Sequence, residues 1–263
     1  MGRVFSYNEA KAYERWQNRP GNQADIQMEH RLMLRLLAPL RGESVLDVGC
    51  GTGGSMKALL EAGLRVSGLD PSPGMLDIAA QSVGHHAELH QGVAEDLPFD
   101  DNHFTYAAVA GTLEFVDDPE KAMEEIFRVT KDRVFIGFLN RHSTLVSGIR
   151  AQRVFIQNRY SGARFFSVWE LKRLIHDMAG EVPVTWRSLS RFPNPLGLIL
   201  RRRRTIHLIC KSPVASYVGV GVSLVPRFRT RPLRLKCRTK LFEGTLTGLA
   251  SVQWRPHHGS TAV

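Results

Sequence analysis

The ten residues from Val45 to Gly54 constrain the fold of this chain more than any other segment. A short apolar run that contains Asp47 leads into four glycines within six positions. Apolar runs of this length are typical of strands buried in parallel sheets. Glycines directly after such a strand let the backbone turn sharply and approach a ligand closely. Because residues 55–62 have a helix-forming composition and end before Gly63, the segment predicts a strand, a glycine loop and a helix that together hold a nucleotide-type cofactor.

Strand and helix patterns alternate along the rest of the chain. The core elements that we predict are strands at 45–48, 64–69, 87–90, 104–110 and 133–139, and helices at 22–38, 55–62, 73–82 and 119–130. Further strands at 182–189 and 217–225 bring the sheet to seven strands, and Ser167 is placed to cap one more helix. The alternation predicts an α/β, doubly wound, Rossmann-like fold with a mostly parallel seven-stranded sheet and helices on both faces.

These patterns divide the chain into four parts. We expect an N-terminal helical cap at 1–40, a cofactor-binding core at 41–140, a substrate-shaping segment with C-terminal strands of the same domain at 141–255, and a flexible tail at 256–263. Within the third part, the stretch 140–166 interleaves arginines with aromatic side chains. This pattern suits an anionic or flat substrate or a single-stranded nucleic acid, and it equally suits a helix whose apolar stripe packs on the sheet.

Charge is distributed unevenly between the two ends of the chain. Residues 183–263 contain 15 basic residues and a single acid, Glu243, whereas residues 1–182 contain 20 basic and 24 acidic residues. This asymmetry favours an anionic partner, which can be a nucleic acid, a membrane surface or an acidic substrate. The run Arg201, Arg202, Arg203 and Arg204 would strengthen docking to an anionic membrane, although cations are also favourable at the C-terminus of any helix.

Other features exclude several classes of protein. The sequence has no run of about 18 apolar residues and no secretory signal pattern, so we expect neither a membrane span nor secretion. The cysteines Cys50, Cys210 and Cys237 are far apart and lack a C-x-x-C spacing, which disfavours a disulfide framework and a zinc site. We therefore predict a cytoplasmic protein that holds no metal. If the arginine run docks to a membrane, the protein would be membrane-peripheral.

The glycine loop also fits a second type of cofactor. Gly49, Gly51 and Gly54 satisfy the G-x-G-x-x-G spacing of dinucleotide-binding folds, and Asp70 follows about 20 residues later. A nicotinamide-dependent oxidoreductase is therefore an alternative that must be weighed.

The charge of the site argues against that alternative. Asp47 leads into the loop, and Glu95 and Asp96 follow a later strand. These carboxylates would repel a pyrophosphate on the loop and the helix N-terminus. S-adenosylmethionine carries no phosphate, and acidic groups attract its ammonium and its sulfonium. The acid-rich site therefore favours S-adenosylmethionine over a nicotinamide dinucleotide.

Four segments in order make the sequence similar to a known family. They are Val45–Gly54, Gly68–Leu76, Ala94–Phe99 and Leu113–Pro119. In this order and spacing they resemble class I S-adenosylmethionine-dependent methyltransferases of the type 11-like, small-molecule branch, which includes ubiquinone/menaquinone-type methyltransferases. The resemblance extends over roughly residues 40–140.

The resemblance implies a set of cofactor-binding positions. These are Asp47, Gly49, Cys50, Gly51, Gly53, Asp70, Pro71, Met75, Ala94, Glu95, Asp96 and Thr112. By analogy with the family, Asp47 and the loop glycines would surround the methionine part of the cofactor, and Asp70 would accept hydrogen bonds from the ribose hydroxyls. Residues 71, 75 and 94–96 would enclose the adenine, and Thr112 would lie near the transferred methyl group.

Two positions depart from the family pattern. Val93 stands where the family usually has an aspartate that receives the adenine amino group, so that Glu95 or a backbone carbonyl is the candidate replacement. Thr105 stands where an aspartate often follows the phenylalanine at the start of the fourth strand. We expect a structural role for position 105.

The resemblance implies methyl transfer by direct in-line displacement to a small-molecule or lipid-like acceptor. The basic C-terminal half of the chain would favour an acceptor that is anionic. No catalytic residue is assigned, although Glu114 and Tyr13 are candidate bases by position if the acceptor must lose a proton. RNA methylation through the basic half is the main alternative. It is disfavoured because Ala110–Leu113 stands where an Asn-Pro-Pro-Tyr-type motif would be expected.

Overall fold

The computed structural model describes residues 3–153, 160, 162–193 and 205–224. The strands are β1 (Ser44–Val48), β2 (Arg65–Asp70), β3 (Ala87–Gln91), β4 (Phe104–Ala110), β5 (Thr130–Leu139), β6 (Val184–Pro193), β7 (Thr205–Cys210) and β8 (Tyr217–Ser223). The helices are α1 (Tyr7–Gln17), α2 (Pro20–Leu37), α3 (Gly54–Glu61), α4 (Pro73–Val83), α5 (Pro119–Val129), α6 (Thr144–Arg153) and α7 (Val168–Ala179). A short 3-10 turn, Gly84–His86, joins α4 to β3.

The described strands form one sheet in the order β3-β2-β1-β4-β5-β8-β6-β7. The pairs from β3 to β5 are parallel, whereas β8 runs antiparallel to both β5 and β6. The α/β, doubly wound, Rossmann-like class with a mostly parallel core is confirmed. The predicted number of seven strands is wrong because β7 pairs with β6 as an additional antiparallel strand at the edge of the sheet.

Two hydrophobic clusters lie on opposite faces of this sheet because side chains alternate along each strand. On β1, Leu46 and Val48 contribute to one cluster with α5 and α7, while Val45 contributes to the other with α2 and α3. Helices therefore cover both faces, as the alternation of elements predicts. Strands β1, β2 and β4 are neighbours, so the loops that follow them meet at one edge of the sheet.

The N-terminal segment packs against this edge through α1. Ser6 and Glu9 form a reciprocal capping box that fixes where α1 begins. A side chain on Gly74, at the start of α4, would approach the Cα atom of Tyr7 within 2.9 Å, so only glycine lets α1 lie this close. The Phe5 amide also donates to the Ser72 hydroxyl at 3.0 Å. These contacts hold α1 beside the glycine loop.

Several sequence predictions remain untested by the fold. The run Arg201–Arg204 and the tail 256–263 lie outside the described residues, as do residues 154–159 and 161 of the arginine and aromatic stretch 140–166. The four domain boundaries therefore stay predictions. Within the described part of the chain, every helix is too short or too polar to cross a lipid bilayer.

Candidate active site

The glycine loop folds back onto the end of β2. The amides of Gly49 and Cys50 both donate to the Leu69 carbonyl, at 2.7 and 3.1 Å. Gly49, Gly51 and Gly53 all have positive φ angles, of 71°, 53° and 82°. Backbone in this region is readily adopted by glycine and disfavoured for residues with a side chain. The spacing of the glycines is therefore what allows the chain to turn from β1 into α3.

Gly49 and Gly51 have different surroundings despite their similar backbone. A Cβ atom on Gly49 would overlap the side chain of Thr112, whose own Cβ lies only 2.8 Å away. A Cβ atom on Gly51 would meet only the Met75 sulfur, at 4.0 Å, and would otherwise project into an open cavity. Gly49 is thus required for packing, whereas Gly51 leaves room for a bound molecule.

Asp70 ends β2 and lines this cavity. Its Oδ2 atom accepts a hydrogen bond from the Gly51 amide at 3.0 Å, and its Oδ1 atom accepts one from the Ser72 amide at 2.9 Å. Burial raises the pKa of this carboxyl, while the two amides act in the opposite direction. Asp70 therefore ties the glycine loop to the start of α4 and presents a carboxylate to whatever occupies the cavity.

Asp47 lies beneath the loop rather than on the cavity wall. The Ser55 hydroxyl donates to its Oδ2 atom at 2.5 Å, and its buried Oδ1 atom has no hydrogen-bond partner among the described residues. Burial raises the pKa of Asp47 to about 7, and the neighbouring charge of Asp70 adds to this effect. The structure therefore lets Asp47 act on a cavity ligand through its charge, without lining the cavity.

The structure brings most of the implied cofactor positions together. The cavity wall includes Gly49, Cys50, Gly51, Asp70, Pro71, Met75, Ala94, Glu95 and Thr112. Three implied positions are not part of the wall, namely Asp47, Gly53 and Asp96. Gly53 caps α3 and packs against α4, and Asp96 is exposed.

The segment after β3 does not provide a simple replacement for the missing aspartate. Val93 itself lines the cavity and bridges to Asp96. The Oε1 atom of Glu95 accepts hydrogen bonds from the amides of Asp117 and Asp118, at 2.9 and 3.4 Å. Glu95 thus anchors the loop before α5 in addition to lining the cavity, and its contact with an adenine stays a prediction.

Two threonines near β4 have different roles. The Thr112 hydroxyl donates to the Val48 carbonyl at 2.9 Å, which fixes Thr112 on the cavity wall against Gly49. Thr105 lies at the other end of β4, where its hydroxyl donates to the Glu43 carboxylate at 2.6 Å and its amide donates to the Ser44 hydroxyl at 3.0 Å. These contacts give Thr105 a structural role far along the strand from the cavity.

The opposite part of the cavity is built from residues that lie outside the four motif segments. Helix α1 contributes Trp16 and Gln17, helix α2 contributes Glu29, His30 and Met33, and the sheet contributes Phe135, Leu139 and Tyr217. Burial lowers the pKa of His30 to about 4, so its imidazole is neutral near pH 7. These positions come together through the packing of α1 and α2 and the pairing of β8 with β5, which depend on tertiary contacts rather than on a local motif.

Both candidate bases also line the cavity. Glu114 is only 2% exposed, and its Oε1 atom accepts a hydrogen bond from the Leu139 amide at 2.8 Å. Its Oε2 atom is buried and has no partner among the described residues. Burial raises the pKa of Glu114 to about 7. Tyr13 stacks on Trp16 with ring centroids 5.7 Å apart, at the helical side of the cavity.

This geometry fits S-adenosylmethionine. The cavity offers free space directly over Gly51, a carboxylate at Asp70, and a further carboxylate beneath the loop at Asp47. Negative charge at these positions attracts a cation and repels a diphosphate. The donor set therefore suits a ligand with an ammonium and a sulfonium.

Comparison with known proteins agrees with this geometry. Residues 46–137 match the family model described as methyltransferase domain. The matched range begins in β1 and ends in β5, so it includes the glycine loop, Asp70 and Glu114.

Two curated relatives and one solved structure illustrate the similarity. A demethylmenaquinone methyltransferase of Clavibacter sepedonicus is 37% identical over 99 residues, which cover 37% of this chain and 40% of the relative. A malonyl-[acyl-carrier protein] O-methyltransferase of Serratia marcescens is 38% identical over 108 residues, with 41% and 40% covered. The chain thus spans about two-fifths of the length of these relatives.

The solved structure shares the fold over most of its length. It is a Thermotoga maritima S-adenosylmethionine-dependent methyltransferase described as a possible histamine N-methyltransferase, with a TM-score of 0.62 and 23% identity. The superposition covers 83% of this chain and 97% of that one. At this identity the likeness shows the fold alone.

Proposed function

We propose that this protein is an S-adenosylmethionine-dependent methyltransferase that acts on a small-molecule acceptor. The observation that carries the proposal is the open space over Gly51 next to the buried carboxylate of Asp70, at the edge where β1 and β2 end. The curated relatives support it, because both are methyltransferases whose names refer to a quinone precursor or to an acyl group on a carrier protein.

The implied residues take the following roles in this proposal. The backbone of Gly49 and Gly51 supports the methionine part of the cofactor, and Asp47 stabilises its positive charge from beneath the loop. Asp70 accepts hydrogen bonds from the ribose hydroxyls. Pro71, Met75 and Ala94 enclose the adenine, and Thr112 lies beside the reacting centre.

The protein's chemical task in such a reaction is mainly alignment. Bound S-adenosylmethionine would supply a methyl group that is already activated by its sulfonium. The chain then has to hold the acceptor in line with that methyl group and exclude water. Aromatic and aliphatic side chains, among them Phe115, Phe135 and Leu139, line the cavity for this purpose.

Isothermal titration calorimetry of the purified protein tests this proposal. We expect S-adenosylmethionine and S-adenosylhomocysteine to bind with micromolar affinity and NAD to bind at least about 100-fold more weakly, because carboxylates flank the loop. Binding of NAD with equal or higher affinity would contradict the proposal and favour the oxidoreductase alternative. A search for metabolites that gain a methyl group only in cells that contain the protein would then identify the acceptor.

We further propose that the run Arg201–Arg204 brings the enzyme to an anionic membrane surface, where a lipid-like acceptor would be found. Each arginine near such a surface contributes roughly 1 kcal/mol of binding. Replacing all four by alanine is therefore expected to reduce flotation with phosphatidylserine vesicles at least about tenfold. Neutral phosphatidylcholine vesicles and the variant Arg173→Ala, at an exposed position of α7, serve as controls.

The outcome of this experiment also separates the membrane from RNA. If the four-alanine variant floats like the unchanged protein but loses salt-sensitive RNA binding, RNA methylation is favoured instead. Equal flotation without any RNA binding would contradict a role of the arginine run in either interaction.

A further inference from the structure

Four residues from β5, β8 and the loop after β4 form the part of the cavity that we call the acceptor chamber. They are Glu114, Phe135, Leu139 and Tyr217, all of which line the cavity. None of them is among the positions implied to bind the cofactor. The chamber is therefore available to the acceptor in a ternary complex.

Tyr217 reaches the chamber because of a glycine on the neighbouring strand. In the antiparallel pair of β5 and β8, Tyr217 lies opposite Leu139. Its phenol ring extends over Gly137, where an added Cβ atom would lie only 2.8 Å from the Cζ atom of Tyr217. Glycine at 137 thus makes room for the hydroxyl at the cavity wall.

Tyr217 presents a neutral phenol to the cavity. The side chain is 6% exposed, and burial raises the pKa of the phenol well above its ordinary value, with further contributions from Glu29 and Glu114. A phenol in this state can donate or accept one hydrogen bond to a ligand. Leu139 connects the two residues, because its amide donates to Glu114 and its strand partner is Tyr217.

Glu114 provides the charged group of the chamber. Its Oε1 atom is held by the Leu139 amide, so the position of the carboxyl is fixed. Its Oε2 atom is buried without a partner among the described residues, and a buried polar atom in this state lowers stability unless a ligand satisfies it. Oε2 can accept a hydrogen bond or a proton from a donor group.

The charged side chains on the cavity wall are mainly acidic. Among the described residues, the wall carries the carboxylates of Glu29, Asp70, Glu95 and Glu114. The only described cationic side chain on it is Arg3, whose guanidinium is paired with Glu9 at 2.9 Å. His30 is neutral, as described above. The wall therefore favours a cationic group and disfavours an anionic one.

We infer that the acceptor presents an amine to Glu114 and Tyr217, with an apolar or aromatic body against Phe135 and Leu139. This inference rests on the proposed methyltransferase function and specifies its substrate class. Aromatic faces add to the attraction because they stabilise a nearby cation. Any anionic part of the acceptor has to lie outside the described cavity.

The charge balance of the transfer agrees with this assignment. The incoming ammonium gives a proton to Glu114 Oε2, which later passes it to solvent. The freed nitrogen lone pair forms the new N–C bond, and the C–S bond breaks with its electron pair going to sulfur. Positive charge thus moves to the nitrogen beside acidic groups. A carboxylate or phenolate acceptor would instead bring a negative charge next to Glu114.

Three indole compounds that differ only in their end group test the inference. They are tryptamine, tryptophol and indole-3-acetate, titrated by calorimetry into the protein saturated with S-adenosylhomocysteine. We expect tryptamine to bind at least about tenfold more tightly than tryptophol, and indole-3-acetate to bind most weakly. In Glu114→Gln, which preserves the shape of the side chain, the advantage of tryptamine should fall below about threefold.

Controls separate the chamber from general effects. Glu124→Gln, at an exposed position of α5, should keep the ranking of the three compounds, and both variants should keep the affinity for S-adenosylhomocysteine. The ranking measured with the unchanged protein is a test by itself if Glu114→Gln does not fold.

The inference is overturned if tryptophol or indole-3-acetate binds as tightly as tryptamine, or if a folded Glu114→Gln variant keeps the preference. It is equally overturned if none of the three compounds binds at millimolar concentration. Because binding of S-adenosylhomocysteine is measured first, its absence would refute the proposed function, whereas its presence with the wrong ranking would refute only the amine assignment.

Discussion

Gly51→Ala is expected to reduce the affinity for S-adenosylmethionine about 100-fold, a loss of about 2.7 kcal/mol of binding free energy. The added methyl group would occupy the open space over the loop, where the nearest neighbouring atom is the Met75 sulfur at 4.0 Å. The protein itself should remain folded, because the positive φ of 53° costs only about 1 kcal/mol in alanine. Calorimetry gives the affinity, and thermal unfolding of the free protein gives the stability.

Two other glycines provide matched comparisons for this variant. Gly42 has a φ of 84° and no atom within 4 Å of an added Cβ, and it does not line the cavity. Gly42→Ala should therefore show a similar backbone cost with unchanged affinity. Gly49→Ala should instead unfold at a clearly lower temperature, because its methyl group overlaps Thr112. Equal affinities in Gly51→Ala and Gly42→Ala would mean that the cofactor does not cross Gly51.

Asp70→Asn is expected to weaken S-adenosylmethionine binding at least about tenfold, because two charge-assisted hydrogen bonds to the ribose become weaker or are lost. The amide keeps the size of the side chain, so an oxygen can still accept from the Gly51 or the Ser72 amide. Affinity measured by calorimetry checks the change, and the thermal unfolding temperature shows whether the loop remains in place.

Asp96→Asn is the matched control for that experiment. Asp96 is exposed and is not part of the cavity wall, so the same chemical change there should leave the affinity within about twofold of the unchanged protein. If Asp70→Asn binds as tightly as Asp96→Asn, the assignment of Asp70 to the ribose is refuted.

Local patterns predict the parallel half of the fold because each of its elements has its own signal. The apolar strands and the proline-started helices α4 and α5 were predicted to within about three residues at each end. Helix α1 and strand β7 are not among the predicted elements, although each has a local signal. The capping box of Ser6 and Glu9 marks the start of α1, and the alternation of apolar residues in Thr205–Cys210 is typical of a strand such as β7.

The candidate site likewise contains residues that local motifs predict and residues that only tertiary contacts bring into place. Gly49, Gly51 and Asp70 lie in motifs, because their roles depend on the backbone directly around them. Tyr217 could not be predicted, because its place on the cavity wall depends on the pairing of β8 with β5 and on the missing side chain at Gly137. The location of Asp47 beneath the loop likewise follows from its bond to Ser55, which no motif indicates.

The acidic character of the cavity connects the two proposals. Asp47 and Glu114 are buried carboxyls whose pKa values burial raises to about 7, and each has one oxygen without a partner among the described residues. Unsatisfied buried carboxyls reduce the stability of the free protein. A bound cation near each carboxyl would recover that stability. The sulfonium of the methyl donor would do so near Asp47, and the amine of the acceptor would do so near Glu114.

A crystal structure of the protein with S-adenosylhomocysteine tests the placement of the cofactor most directly. We predict ribose hydroxyls within hydrogen-bonding distance of the Asp70 carboxylate and the amino-acid part of the molecule above Gly51. Density for the molecule elsewhere on the protein, or a dinucleotide with its diphosphate across the same glycines, would contradict the prediction.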